Sequence, residues 1–317
     1  MNLINSSVYH LDEPNPLKKI EIAGRTCYKS DSEFTDETAI QFFDRMSNSG
    51  HYAMLEHGEA TFELLGMKEG ELDSEFRAIP YIRTSYKPNR WYVTMTCSHM
   101  VGPNVVYSNI SKLAKELFFR MRDMFLTYHL NGMNDKVLVT QINGIQIKML
   151  KDVTEIVDFN ESDLKLHKSE TFKFIVDRAV SHELVRHRQS VAQESQRYCN
   201  YSKNKFGNEI TFVTPHDWDM WSDEERSIFE FSLVESEKTY MKLINLGKLP
   251  QDARRVLPNA TKTEVILTMP IGRWEHFINL RSKGTTGAPH PDMKRVADPV
   301  AIKIPEIIED YMSRPHN

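Results

Sequence analysis

The run Arg186-His187-Arg188-Gln189-Ser190-Val191-Ala192-Gln193-Glu194-Ser195-Gln196-Arg197-Tyr198 (186–198) holds the densest chemistry in the chain. Its thirteen residues include three Arg, one His, two Ser, three Gln, one Glu and one Tyr, with only Val191 and Ala192 apolar. Two guanidiniums and an imidazole at the C-terminal end of a helix suit the helix dipole. The dipole accounts for those cations but not for the hydrogen-bonding residues that follow. Forked Arg donors fit phosphate or carboxylate recognition. An Arg-rich helix end pairing with acidic neighbours would explain the cations equally well.

Immediately upstream, TFKFIVDRAVSHELVRHR (171–188) sets Phe172, Ile175, Val176, Ala179, Val180 and Leu184 near an i, i+3, i+4, i+7 stripe. That spacing predicts a helix with one buried face. Downstream the chain stays polar as far as 209, then ITFVTP (210–215) reads as a strand. SDEERSIFEFSLVESEKTYMKLINLG (222–247) opens on a Ser-Asp-Glu-Glu capping signature and ends on Gly247, so a helix is predicted. PQDARRVLP (250–258) predicts a turn of helix closed by Pro258, and TEVILTM (263–269) a strand. GRWEHFINLRSK (272–283) places Trp274, Phe277, Ile278 and Arg281 on one helical stripe. An arginine on an apolar face is costly unless paired, so Arg281 must meet a carboxylate or an anionic or oxygen-rich ligand.

Toward the N-terminus, DETAIQFFDRMSNSG (36–50) predicts a helix stopped by Gly50. Residues 65–168 contain a strand-like RWYVTMTC (90–97), a helical ISKLAKELFFRMRDMFLTY (110–128) and a polar, acidic segment (151–163). This zone carries few clusters that suggest chemistry and reads as an insertion or subdomain. Helices with irregularly interspersed strands predict an α+β fold rather than a doubly wound sheet.

Composition narrows the function. The 317 residues carry 40 Lys+Arg against 44 Asp+Glu, a net charge of −4. Binding to nucleic acid through bulk positive charge is therefore excluded. No apolar run approaches the roughly 20 residues that span a bilayer, and the N-terminus lacks the pattern of a secretory signal. Cys27, Cys97 and Cys199 are three in number and far apart, which suits neither a disulfide framework nor a metal site. His182-Glu183-Leu184-Val185-Arg186-His187 mimics a zinc-protease motif, but its second His comes one residue late. Five helical steps turn about 500°, leaving the imidazoles about 140° apart around the axis. No metal is expected. The reading is a cytoplasmic protein whose polyanion site, if any, is a local Arg cluster. Smaller clusters occur at GHYAMLEH (50–57), with His51, Glu56 and His57, and at Arg254-Arg255. No GxGxxG, GxxxxGK[ST] or GxSxG pattern occurs, so a bound dinucleotide would not sit in a Rossmann loop.

RHRQSVAQESQRYCNY (186–201) resembles the signature of the flavin-dependent thymidylate synthases, Arg-His-Arg followed at a distance by Ser inside a longer RHR…S…RY pattern. DRAVSHELVRHR, YSKNKFGNEITFVTP, PQDARRVLPNATKTEVILT, HFINLR and APHPDMKRVA resemble the family in the same order, as do GRTCYKS (24–30) and the Gly50-to-His57 stretch. The likeness covers residues 1–64 and 169–310; residues 65–168 inherit nothing from it. Departures are visible. Six residues (189–194) separate Arg188 from Ser195, one fewer than in the family, and Ala53 stands where a small hydroxyl residue is usual. An Asn-x-Arg expected before the last motif helix is Pro270-Ile271-Gly272.

The resemblance implies an α+β homotetramer with mixed helices and an irregular, largely antiparallel sheet. Residues 1–64 and 169–317 would form the catalytic domain. Its sites, shared between subunits, would convert dUMP to dTMP with 5,10-methylenetetrahydrofolate as carbon donor and FAD, reduced by NADPH, as hydride source. Residue by residue, it places flavin at His51, Ala53, Glu56, Arg186, His187, Arg188, Gln193, His276 and, through backbone, Pro270, Ile271 and Gly272. It places the nucleotide at Glu183, Leu184, Val185, Arg186, Gln193, Glu194, Ser195, Gln196, Arg197, Arg254 and Arg281, with Arg281 favouring ionisation of uracil N3. Membrane and nucleic-acid partners are not expected. Two alternatives stand beside this reading. A flavin- and folate-dependent uracil methyltransferase acting on RNA fits the same motifs, but the acidic balance opposes it. A nucleotide-binding module that has lost catalysis is the other, and colourless purified protein would favour it.

Overall fold

The computed structural model describes residues 1–314 except 31–32, 72, 78, 102–109, 131–132, 134, 136–137 and 205–206. Its strands, in chain order, are β1 (Asn2–Ile4), β2 (Ser7–His10), β3 (Glu59–Leu65), β4 (Arg83–Lys87), β5 (Arg90–Thr96), β6 (Val139–Ile142), β7 (Ile145–Met149), β8 (Ser169–Asp177), β9 (Ser190–Gln193), β10 (Thr211–Val213) and β11 (Lys262–Pro270). They form an antiparallel sheet in the order β2-β8-β11-β9, a second antiparallel sheet in the order β4-β5-β3-β7-β6, and a parallel pair, β1-β10. With the helices around them this is the predicted α+β class, its sheets largely antiparallel.

The segment before the Arg-His-Arg run departs from its predicted helix. Residues 169–177 are the strand β8, and only Arg178–Leu184 is α-helical. The same apolar residues also read with period two: Phe172, Phe174 and Val176 are buried together in the core. β8 lies between β2 and β11, and pairing on both edges settles the ambiguity in favour of the strand. Asp177 then starts the short helix, its carboxylate accepting from Val180 N at 2.7 Å. The polar text after 188 conceals a strand as well. Ser190–Gln193 is β9, paired with residues 265–268 of β11.

The other helices and strands expected from the sequence are present. Thr35 and Thr38 cap the Asp36–Ser49 helix reciprocally, and Gly50 ends it in the left-handed region. Ser222 and Glu225 form the capping box of the Asp223–Asn245 helix. β5, β10, β11 and the Lys112–Leu130 helix lie where the sequence places them.

One core packs around the five-stranded sheet and joins Leu17, Ile20, Phe42 and Phe43 to Phe62, Trp91, Met121 and Phe125. Residues before 65 and residues of the middle zone thus share that core. A second core sits on the four-stranded sheet, where Phe172, Phe174 and Leu267 meet Trp274, Phe277, Val296 and Val300. A third, smaller one gathers Cys199, Ile210, Phe212, Leu233 and Tyr240. Cys199 is wholly buried there, which removes it as a nucleophile for any ligand in an open cleft. Among the described residues no helix is long and apolar enough to cross a membrane.

Candidate active site

The end of the Arg178–Leu184 helix tightens into a 3₁₀ turn, Val185–His187, and Arg188 turns the chain in the left-handed region (φ 49°) before β9 begins. Facing this turn is the Ile271–Arg281 helix, which follows β11 without a break and buries Ile271, Trp274, Phe277 and Ile278. Between the two lies a cleft of about 580 Å³. Of the residues named from sequence, Glu183, Arg186, His187, His276 and Arg281 line it. So do Gln189, Arg273 and His290, which sequence reasoning missed. Arg273 and His276 are three apart on one exposed stripe of the helix, a spacing the sequence displayed. His290 had no such signal. It arrives through a loop in which Gly284 has φ +66°, and a Cβ there would fall 2.9 Å from the Gly287 carbonyl oxygen.

Arg281 is paired as its apolar helix face required. Its Nη1 donates to Glu183 Oε2, its Nε to His187 Nε2 at 3.2 Å, and its Nη2 to the Glu183 carbonyl at 3.4 Å. A guanidinium has five N–H donors and accepts nothing, so two donors remain for the cleft and His187 must present a bare Nε2. The His187 imidazole is accordingly neutral. Burial, then Arg281 and His276, hold its pKa down at about 4. The ring also packs 4.9 Å from that of Phe277, so the Arg-His-Arg turn rests on the core.

The charge of the cleft is lopsided. Arg186, Arg273 and Arg281 face a single carboxylate, Glu183, which Arg281 and the more distant His290 (3.7 Å) already engage. In a chain of net negative charge, this is a local excess of positive charge, of the kind that suits an anion.

A smaller cavity of about 190 Å³ continues the cleft, sharing Gln189, Met269 and Arg273 with it and adding Glu56 and Pro270. Burial raises the Glu56 carboxyl to about 7. The folded protein therefore keeps a proton there that the unfolded chain releases near the ordinary glutamate value. Stability from this group is full below about pH 4.3 and is lost as pH rises through 7. Glu56→Gln should consequently gain stability relative to the parent between pH 5 and pH 8. Urea midpoints of the ligand-free proteins at the two pH values test this, and an equal difference at both would refute it.

Other predicted residues lie elsewhere in the chain. Leu184 and Ile271 are core side chains, and the Ile271 N–H donates to the Lys168 carbonyl at 3.0 Å. Gly272 packs on the Lys165 carbonyl, 3.3 Å from where a Cβ would stand. Val185 is half-buried. Arg188 is exposed and does not line the cleft, whereas its neighbour Gln189 does. His51 and Ala53 are exposed on a short helix beside Tyr28, outside both cavities. Gln193, Glu194, Ser195, Gln196, Arg197 and Arg254 do not line the cleft. Glu194 is buried against Lys262 at 2.9 Å, and Gln193 Nε2 donates to Ser181 Oγ at 3.0 Å.

Residues 150–306 match the family described as thymidylate synthase complementing protein. The flavin-dependent thymidylate synthase of Geobacter sulfurreducens is 35% identical over 136 residues, covering 41% of this chain and 56% of that enzyme. That of Pyrococcus furiosus is 33% identical over 138 residues, covering 41% and 53%. Through residues 150–306 the chain belongs to the flavin-dependent thymidylate synthase family. The family region holds β8, β9 and β11, the Arg-His-Arg turn and the Ile271–Arg281 helix, and thus the whole cleft wall described above. The chain spans about half the length of the curated relatives it matches. Among solved structures, a UMP/dUMP methylase from Streptomyces cacaoi bound with 5-Br dUMP aligns at 22% identity and a TM-score of 0.37, covering 48% of this chain and 75% of that one.

Proposed function

We propose that this chain is a flavin-dependent thymidylate synthase that methylates dUMP to dTMP, taking its carbon from 5,10-methylenetetrahydrofolate. The observation that carries the reading is the cleft itself, with three arginines and three histidines set against one glutamate where the family signature lies. dUMP and FAD both bring phosphates, and forked guanidiniums suit them. Arg186 and Arg273 have no ion pair among the described residues, so both are available to an incoming anion. The two cavities adjoin along Gln189, Met269 and Arg273, so an extended ligand would have Arg281 near one end and Glu56 near the other.

The residues fit a bound FAD in this way: Arg186, His187, His276 and Glu56 would hold it, and it would supply the hydride, with NADPH as reductant. The chain's own residues do the rest. Uracil C5 becomes nucleophilic when N3 loses its proton and the charge spreads to the ring oxygens. Arg281, clamped by Glu183 and His187, would offer its remaining N–H donors to that developing oxyanion. His187 stays neutral and keeps the guanidinium oriented rather than competing as a second cation.

Gln193–Arg197 and Arg254 would complete the nucleotide site of a neighbouring subunit in a homotetramer, which accounts for their lying outside the cleft of their own chain. Residues 1–64 and 169–317 would form the catalytic domain and 65–168 an elaboration of it, in a cytoplasmic enzyme. NADPH oxidation and dTMP formation, followed with and without dUMP and methylenetetrahydrofolate, test the proposal. Yellow protein whose flavin spectrum responds to dUMP, and dTMP only when both substrates are present, are expected. Colourless protein, or oxidation with no dTMP, would overturn it.

A further inference from the structure

A second cavity, about 470 Å³, opens between residues 13–19, the start of β3, the end of the Lys112–Leu130 helix and residues 138–153. It is separate from the cleft but not remote from it. Glu59 and Ser169 line both this cavity and the small extension that holds Glu56. Arg83 ties that shared wall together, donating from Nη1 to Ser169 Oγ at 2.8 Å and from Nη2 to Glu59.

Each acid of the cavity has a partner among the described residues, although Glu59 Oε1 is buried without a hydrogen bond. Asp36 pairs with Lys18 at 2.9 Å, Glu59 with Arg83, and Asp152 caps the turn at Thr154. Glu13 accepts the Asn15 N–H at 2.8 Å. Most of the cations are engaged too. Lys151 reaches Asp135 at 2.6 Å, and Lys168 lies 3.8 Å from Glu170, which is itself held by His10 at 2.7 Å. His167 and His129 are kept neutral by burial, at pKa values of about 3 and about 4. Lys19 is different. It lines the cavity, and among the described residues its ammonium has neither an ion pair nor a hydrogen bond. Burial, then the proximity of Lys168, hold its pKa below the ordinary lysine value, while Glu170, Glu59 and Glu13 act on it only from beyond ion-pair distance and offset part of that shift. The same cavity exposes apolar surface from Leu138, Met149, Leu150 and Val153. A cation with no carboxylate in direct contact, beside an apolar wall in a space of ligand size, is the usual composition of a small-molecule pocket.

We propose that this cavity is a second ligand site, taking a small molecule that bears a phosphate or carboxylate on an apolar body, with the anion at Lys19 and the body against Leu138, Met149 and Leu150. The inference stands apart from the reading of the main cleft, since no residue lines both.

Phenyl phosphate and benzoate share such a body and differ only in the anion. Thermal midpoints measured with each probe, in the presence of saturating dUMP to keep the main cleft filled, test the site. One probe or both should raise the midpoint by about 5 °C at a hundredfold excess over Kd, and the probe that acts identifies the head group. Lys19→Met and Lys19→Gln should abolish that rise while leaving the shift produced by dUMP alone intact. A probe shift that survives both substitutions, or no shift with either probe in the parent protein, would overturn the proposal. A missing dUMP shift would instead count against the function assigned to the main cleft, so the two failures are distinguishable.

Discussion

Arg281→Lys should fold, keep its thermal midpoint and flavin content, and lose dTMP formation by about 10²-fold or more. The reason lies in what lysine can and cannot replace. An ammonium can still satisfy Glu183, so the half-buried charge pair and the helix end that carries it survive. It cannot at the same time donate to His187 Nε2, to the Glu183 carbonyl and to a ligand oxygen from a planar fork. A guanidinium aimed at uracil interacts more strongly with the N3-ionised ring than with the neutral one, and only such differential binding raises kcat. If Arg281 served merely as the partner of Glu183, the lysine variant would work nearly as well as the parent. dTMP production measured beside melting temperature and flavin content separates the two roles. Near-normal output from a stable, yellow variant would remove Arg281 from the activation step.

The sequence disclosed the cleft better than it disclosed the segment leading into it. Trp274, Phe277, Ile278 and Arg281 repeat at helical spacing, and the helix lies where that spacing put it, its charged end paired as an arginine on an apolar face demands. Residues 171–177 were ambiguous for a physical reason. Phe172, Ile175 and Val176 fit a helical face, while Phe172, Phe174 and Val176 fit a strand face, and only pairing with β2 and β11, distant in sequence, decides between them. β9 was hidden because its strand is polar at both ends. Ser190 and Gln193 are hydrogen-bonding residues whose backbone pairs with β11 all the same. The reach of the Arg-His-Arg run was legible for Arg186 and His187 but not for Arg188. Its left-handed backbone turns the chain toward β9 and gives the cleft position to Gln189. Lys19 offered no signal at all. A lysine in the first turns of a helix reads as solvated until the fold packs β3 and the middle zone around it.

Trp274→Ala should cost about 3–5 kcal/mol of folding stability, the range for truncating a large buried aromatic. The side chain is fully buried and sits 4.7 Å edge-on to Phe172, 5.3 Å edge-on to Phe277 and 6.3 Å stacked on Phe174. Its Nε1 donates to the Glu170 carbonyl at 3.0 Å, so truncation also leaves a buried acceptor in β8 unpaired, worth a further 1–3 kcal/mol or so. Against the roughly 5–15 kcal/mol that holds a typical domain folded, this is a large share. Trp274→Phe keeps most of the ring contacts and loses only the hydrogen bond and part of the volume, so it should fall between the alanine variant and the parent. Met220→Ala, at a position 87% exposed, should change stability by less than about 0.5 kcal/mol. Denaturant midpoints of the three variants set the order. An alanine variant within about 1 kcal/mol of the parent would mean that this tryptophan does not anchor the Ile271–Arg281 helix to β8. The positions of Arg273, His276 and Arg281 would then need another support, because the buried stripe beneath them is what turns those three side chains toward the cleft.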